Sequence, residues 1–473
     1  MSDEDDGMDS LGVVVKGKPT VATASYGLRQ HVLSSLETLA QSVSTMAPST
    51  SPTLTIPLVF ALAGTGTWLA YALAMAGIAL MALCIAAFAR DSASPGSLYI
   101  YTRSTPPPAF AAVAAWALFF AYVMTAASVI GGFISYAYVF LGRFGSHVSP
   151  GLLAVVCAGG AVWIAWRDVK ISTQTMLWIE AISVLLISLV VGRLLWKHGL
   201  HIDEAQLRLR GATPVGVRLG VMLALFSFVG FESATTLGSE AKEPLKTIPR
   251  AVLRSAMLAG IFFIVCAYGE VLSFHGANSG LGESAAPMRY LSESADVRAA
   301  GPVIDAGVLV SMFAGTLACV IAAARVLMLM AHNGLAHGRF AKTHVEKETP
   351  GAASILAGSL AFLPVAVLAE RGSTGADIYG WMGTLAVYGF LTVYALVAVA
   401  LPLHLRRRGR LKVGGIMLSV SAAVATILAM VGTVFPVPPA PYRYLPYVYI
   451  AYLAGGMAWY AVLQRRATVL ASS

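Results

Sequence analysis

FSFVGFESATTLGSEAKEPLKTIPRAVLR, residues 226–254, is the stretch on which the reading of this chain turns. It begins inside an apolar run and interrupts it with Gly230-Phe231-Glu232. It then leaves through a loop of alternating charge punctuated by Pro244 and Pro249. A segment that only has to sit in lipid has no use for a glycine and a carboxylate near its middle. Backbone polar groups at that depth must be satisfied within the protein, so broken helices persist only where they line a cavity.

Composition says why depth is the right frame. The chain has 473 residues, 57% hydrophobic and 12% charged, against about 25% charged in a soluble domain. Its mean hydropathy is +0.74. Apolar runs near 32–62, 67–90, 109–142, 151–166, 171–196, 216–239, 250–275, 303–331, 352–370, 375–404, 413–435 and 443–464 predict twelve spans, most close to the ~20 residues that a bilayer demands. The expected fold class is therefore all-α and integral to the membrane. With the N-terminus placed in the cytoplasm, 22 of the 32 Lys and Arg residues fall on the cytoplasmic side. The run Arg406, Arg407, Arg408, Arg410 and Lys412 contributes most to that excess. Both termini are expected inside the cell, in a cytoplasmic (inner) membrane. The net charge of +9 is thus read as orientation, and no nucleic acid partner is expected. Residues 1–29, with Asp3, Glu4, Asp5 and Asp6, are expected to be a largely disordered polar tail without the basic start of a signal peptide. Residues 30–465 form the membrane domain and 466–473 a short cytoplasmic tail. Cys84, Cys157, Cys266 and Cys319 lie in apolar runs without metal-ligand spacing and read as small core residues. No metal or cofactor is expected.

The first span repeats the irregularity of the sixth. Helix up to Met46 is followed by Ala47-Pro48-Ser49-Thr50-Ser51-Pro52 and then by more apolar residues. Each proline removes an amide proton and disturbs the preceding turn. One interruption reads equally well as a proline kink. Two, five spans apart, predict a 5+5 inverted repeat (32–196 and 216–404) followed by two additional helices (413–464), with cargo held at the breaks. Each half-helix end carries roughly half an elementary charge. Exposed amides suit a carboxylate and exposed carbonyls an ammonium group, which favours amino acids or amines.

Three stretches resemble the amino acid–polyamine–organocation transporter superfamily. They are Gly230-Phe231-Glu232 with Glu240-Ala241-Lys242-Glu243-Pro244 and Ile248-Pro249-Arg250; Ser94-Pro95-Gly96-Ser97-Leu98-Tyr99; and Ala324-Arg325 with Asn333-Gly334-Leu335 and Thr349-Pro350. The resemblance spans roughly residues 30–465. It implies a LeuT-type fold with discontinuous first and sixth helices, alternating access, and amino acid or amine substrates moved with protons or by exchange. One departure is plain: the usual Gly-x-Gly of the first break is missing, and Gly64-Thr65-Gly66 comes too late.

The expected substrate contacts are Ala47, Ser49, Thr50, Ser51, Phe228, Gly230, Phe231 and Glu232. Tyr122, Thr125, Trp381 and Tyr388 are candidate pocket residues, although aromatic residues in spans more often simply pack. The amides of Ser49, Thr50 and Ser51 are expected to be open to a substrate carboxylate. Glu37, Glu180 and Glu270 are further intramembrane carboxylates, each a functional candidate by its cost there. Relatives that place a lysine in the fifth span are not matched, and Glu180 is the expected proton carrier. A sodium site using Ser311 or Thr316 is the lesser alternative. The function expected is proton-coupled uptake of an amino acid. The alternatives are an amine or polyamine permease, an exchanger, and, from another class, a transporter-like membrane sensor. No enzyme is expected, since the chain carries neither a His-Glu-x-x-His motif nor a phosphate-cradling loop.

Overall fold

A computed structural model describes residues 28–472, apart from 29, 104, 106, 143–147, 168–169, 200–201, 276–279, 345–348 and 436; the side chains of 170–176 and 465–472 are also left undescribed. The N-terminal tail expected over 1–29 lies outside the described residues save Leu28. The helices are α1 Ser35–Met46, α2 Ile56–Ala63, α3 Thr67–Ala89, α4 Ser97–Arg103, α5 Ala109–Leu141, α6 Pro150–Arg167, α7 Lys170–Lys197, α8 Glu204–Leu207, α9 Pro214–Phe228, α10 Pro244–Ser273, α11 Pro287–Ser294, α12 Ala300–His332, α13 Gly351–Glu370, α14 Gly375–Arg407, α15 Val413–Val434 and α16 Leu445–Ser472. The long ones fall where hydropathy places spans. The short α4, α8 and α11 escape hydropathy because they are connectors too short to cross. The helix α16 continues to Ser472, past the expected end of the last span at 464.

Among the described residues, ten stretches are long and apolar enough to cross a membrane. The expected first and second spans lie together in one of them, Ser35–Ala89, and α16 is not among the ten. The fold is inside-out by soluble standards. Leu185, Trp196, Met417 and Leu428 are exposed, while Glu180, Glu232, Glu270, Asp305 and Arg325 are buried. Only an apolar surround makes that distribution favourable, because exposed aliphatic surface costs about 25 cal/mol per Å² in water. The central helices are α5, α12 and α14; α5 packs along both of the others. The outward apolar face of α15 marks it as peripheral.

Both expected breaks are present. The helix α1 starts in a capping box, in which Ser34 and Glu37 each bond the other's amide. This accounts for Glu37 as a helix-capping carboxylate. The helix stops at Met46 because Ala47 turns left-handed (φ 46°), a conformation away from the right-handed helical region that a residue before proline avoids. Pro48 also deprives the Ser44 carbonyl of its helical donor. The chain resumes as one wide π-helical turn, Ser51–Thr55, with Pro52 at its start. Pro57 deprives the Thr53 carbonyl in the same way, and the Tyr136 hydroxyl donates to it instead at 3.2 Å. The Gly64-Thr65-Gly66 segment is only the tight connection from α2 to α3.

The second break begins when α9 ends at Phe228. Gly230 takes φ +102°, and a 3-10 turn covers Ser233–Leu237. A side chain at Gly230 is blocked twice, by that φ and by Thr45, whose Cγ2 would lie 2.5 Å from a Cβ there. The two breaks therefore touch. Ser42 Oγ donates to the Phe231 carbonyl (2.7 Å), and Ser233 Oγ donates to Thr45 Oγ1 (2.9 Å). At one end of the bundle they are tied again by the backbone pairing of Leu33 with Glu240 and Lys242.

Gly230→Ala should lower the melting temperature of the purified protein in detergent, by a strain cost on the order of 1–3 kcal/mol. Gly77→Ala, where nothing lies within 4 Å of the added methyl, should leave it unchanged. Equal melting of the two variants would refute this account of the break.

Candidate functional site

A buried carboxylate stands at each break. At the first break, Glu180 reaches across from α7. Its Oε1 accepts from the Ser49 amide at 2.7 Å, and its Oε2 accepts from the hydroxyls of Ser49 (3.2 Å) and Ser311. One side chain thus joins α7, the first break and α12. The other two amides of the break are also in use. Thr50 donates to the Ala47 carbonyl at 2.8 Å, and Ser51 donates to the Pro48 carbonyl at 3.3 Å. This corrects the expectation that the Ser49, Thr50 and Ser51 amides stand open to a substrate carboxylate. The chain closes its own broken turn, because buried amides left unpaired cost about 1–3 kcal/mol each.

At the second break the buried carboxylate is Glu232, which accepts from the Tyr122 hydroxyl at 3.0 Å and the Tyr394 hydroxyl at 2.9 Å. The neighbouring amides bond within the turn or to Ser42 Oγ.

The remaining expected residues divide by what they touch. Thr50 Oγ1 donates to the Ala47 carbonyl, whereas the buried hydroxyl of Ser51 has no hydrogen-bond partner among the described residues. Phe231 rests on Tyr394, and Phe228 packs edge-on against Phe263, so Phe228 faces α10 rather than the first break. Thr125 bonds the Ala121 carbonyl of its own helix. Trp381 is only partly buried against the core. Tyr388 stacks near Tyr449 and borders a cavity of about 170 Å³ with Leu58, Met222 and Tyr442. Tyr388 thus faces a space between α2, α9 and α14. Thr316 bonds the Met312 carbonyl of its own helix.

Sequence reasoning had no specific role for three groups now in view. Glu270 on α10 is fully buried, and neither carboxylate oxygen has a hydrogen-bond partner among the described residues. It lies within electrostatic reach of Tyr71 and Tyr136. Tyr379 bonds Thr55 at 2.8 Å, from α14 onto the π-helical turn. Arg325 forms a two-pronged bond to Glu240 (2.9 and 2.8 Å), with both partners buried. The Ala324-Arg325 motif carried a signal for the last of these; the partner's identity did not show.

A family model described as Amino acid permease matches residues 44–464. The chain belongs to the amino acid permease family. It is thus an integral membrane transporter. Among its relatives, the methylthioribose transporter of Bacillus subtilis is 25% identical over 356 residues, covering 71% of this chain and 74% of that protein. A branched-chain amino acid permease of the same species is 24% identical, again over 71% of this chain and 74% of that protein. The low-affinity putrescine importer of Escherichia coli is 23% identical over 63% of this chain and 66% of that protein. The fold is similar to that of a Na+-coupled sialic acid symporter in a substrate-bound outward-open state, with a TM-score of 0.52 at 16% identity, covering 86% of this chain and 92% of the other.

Arg325→Met should destabilise the protein in detergent by about 3–5 kcal/mol, because it leaves Glu240 buried and unpaired. Arg325→Met combined with Glu240→Met should recover most of the loss. A double variant that melts no higher than the single one would show that the pair is not what Arg325 contributes.

Proposed function

We propose that the protein is a secondary active transporter that carries an amino acid or amine across the cytoplasmic membrane by alternating access, coupled to protons. The observation that carries this reading is the pair of interrupted helices packed break to break, each with a buried carboxylate beside it. A broken helix inside a bundle is tolerated only where it serves a site, and two facing breaks are the arrangement in which transporters hold cargo near the midplane. Family membership supplies the substrate class, since its relatives include a branched-chain amino acid permease and a putrescine importer. In this reading the chain has twelve spans in a LeuT-type 5+5 inverted repeat with two extra helices. Residues 32–196 and 216–404 are the repeats, and both termini lie in the cytoplasm. The Ala47–Ser51 break, Gly230, Phe231 and Glu232 form the substrate region, with Tyr122 beside it through Glu232.

Glu180 suits a coupling role. Ionised, it accepts three hydrogen bonds and clamps the first break to α7 and α12. Protonated, it loses acceptor strength toward Ser49, because charged acceptors bind roughly twice as strongly as neutral ones. A proton would thus loosen the first break from its scaffold. At the bundle end where Leu33 pairs with Ala241, the Arg325–Glu240 bond closes the path between α12 and the second break. We assign that end to the cytoplasm, as its gate.

Uptake into reconstituted vesicles, across a panel of labelled amino acids and amines, tests the function. Accumulation of at least one zwitterion or amine, enhanced by an inward proton gradient, is expected; transport of none would reject the reading. Glu180→Gln should abolish gradient-driven accumulation while solute exchange continues. Undiminished accumulation would take the proton away from Glu180.

A further inference from the structure

Arg218, near the start of α9, is half-buried, and its Nε and Nη2 atoms are buried without a hydrogen-bond partner among the described residues. A guanidinium stays charged under all ordinary conditions, and an unpaired charge taken out of water is costly. Other cations of the bundle are compensated. Arg325 bonds Glu240 at 2.9 and 2.8 Å, and Arg289 pairs with Asp305. Those two tie helices together, whereas the buried donors of Arg218 tie nothing. A buried polar group left without a partner calls for a reason outside stability.

The cavity of about 170 Å³ that Tyr388 borders lies beside it. Leu219 and Met222 line that cavity, with Leu58 from α2 and Thr433 from α15. Residues four apart are neighbours on a helix surface, so Arg218 stands next to Met222 on α9. Its stem also lies against α15 beside Thr433: a Cβ on Gly432 would stand 3.5 Å from the Arg218 Cγ and 3.6 Å from its Cδ. Apolar walls with a cation at the rim suit an anionic group carried on an apolar body. This place is not the break itself. The helix α9 runs on from Arg218 to Phe228, about 15 Å at a rise of 1.5 Å per residue. The carboxylate and ammonium of one amino acid do not span that distance. In the orientation given above the second break exits toward the cytoplasm, so the start of α9 is the outer end.

We propose that Arg218 and the cavity beside it form an outer station for the cargo, where the guanidinium pairs with a carboxylate of the solute before the solute reaches the breaks. The proposal rests on the transporter reading above and narrows its substrate class to solutes that carry a carboxylate. It separates two sites on one path. Arg218 captures the cargo at the start of α9, and the breaks hold it some 15 Å further in.

Arg218→Met keeps the packed stem and removes the charge. Vesicles reconstituted with the full chain, wild type or variant, would be offered labelled leucine, phenylalanine and lysine, and isoamylamine, phenethylamine and cadaverine, which lack their carboxylates. For each amino acid that is transported, Arg218→Met should raise KM by about tenfold or more, as a lost charged hydrogen bond implies, while the saturating rate is kept. Arg218→Lys should restore most of the loss, and any amine that is transported should keep its KM in all three proteins. The ligand-free Arg218→Met protein should melt no lower than wild type, since no bond is broken; a lower melting temperature with the same rise in KM for amines and amino acids would make Arg218 a structural residue and overturn the station. An unchanged KM for the amino acids, or transport of amines alone, would also overturn it and leave the transporter standing. A rise in KM that disappears in vesicles of phosphatidylcholine, without anionic lipid, would give the guanidinium to a lipid phosphate instead. Transport of none of the six solutes, nor of any in the wider panel, would reject the transporter reading itself.

Discussion

Glu180 lays its carboxylate on the amide and hydroxyl of Ser49, and on that bond the rest of the arrangement depends. A helix interrupted by Pro48 and Pro52 leaves polar backbone in a place where water is excluded. Nothing apolar can stabilise it there, so polar groups must come from elsewhere in the fold. The side chain that arrives is a carboxyl group, and it comes from a position 131 residues away in the chain. It also accepts from Ser311 on α12, so one side chain joins α7, α12 and the first break. At the second break Glu232 is steadied by the hydroxyls of Tyr122 and Tyr394.

This solution has a chemical consequence. Charge supplied by the protein to hold its own backbone is charge a ligand need not supply. Where glycine-rich breaks present bare amides, this chain closes its first break itself, with the Ser49 amide on Glu180 and those of Thr50 and Ser51 bonded within the turn. Glu270 and the Arg218 guanidinium keep buried polar atoms without a hydrogen-bond partner among the described residues. The ion pair of Arg325 with Glu240 belongs to a third job, tying the exit of the second break to α12 at the end of the bundle where Leu33 pairs with Ala241.

Much of the fold was legible in the order of residues. Helix positions follow hydropathy, since lipid imposes length and apolarity on each crossing segment. The breaks were legible because proline and glycine act locally: Pro48 and Pro52 lack amide protons, and Gly230 can take a positive φ. Glu37 showed where the local view misleads. Counted as an intramembrane carboxylate, it turned out to complete a capping box with Ser34, and the Ser-x-x-Glu spacing that announces such a box was there to be read. Tyr388 and Trp381 were singled out as aromatic residues in a span, and nothing in their spacing distinguished them from Tyr394, which reaches Glu232.

By itself, the sequence determined that the chain crosses a membrane repeatedly, that two of its helices are broken, where they break, and to which superfamily the exit loop of the second break points. These are consequences of local composition and of residues whose backbone chemistry acts within one turn. Only the tertiary structure decided which carboxylates close the breaks and which is left without a partner. Glu180, Glu232 and Glu270 look alike along the chain, each a lone acid in an apolar run. Their difference lies in the donors that other helices bring within about 3 Å, and a sequence does not record which helix faces which.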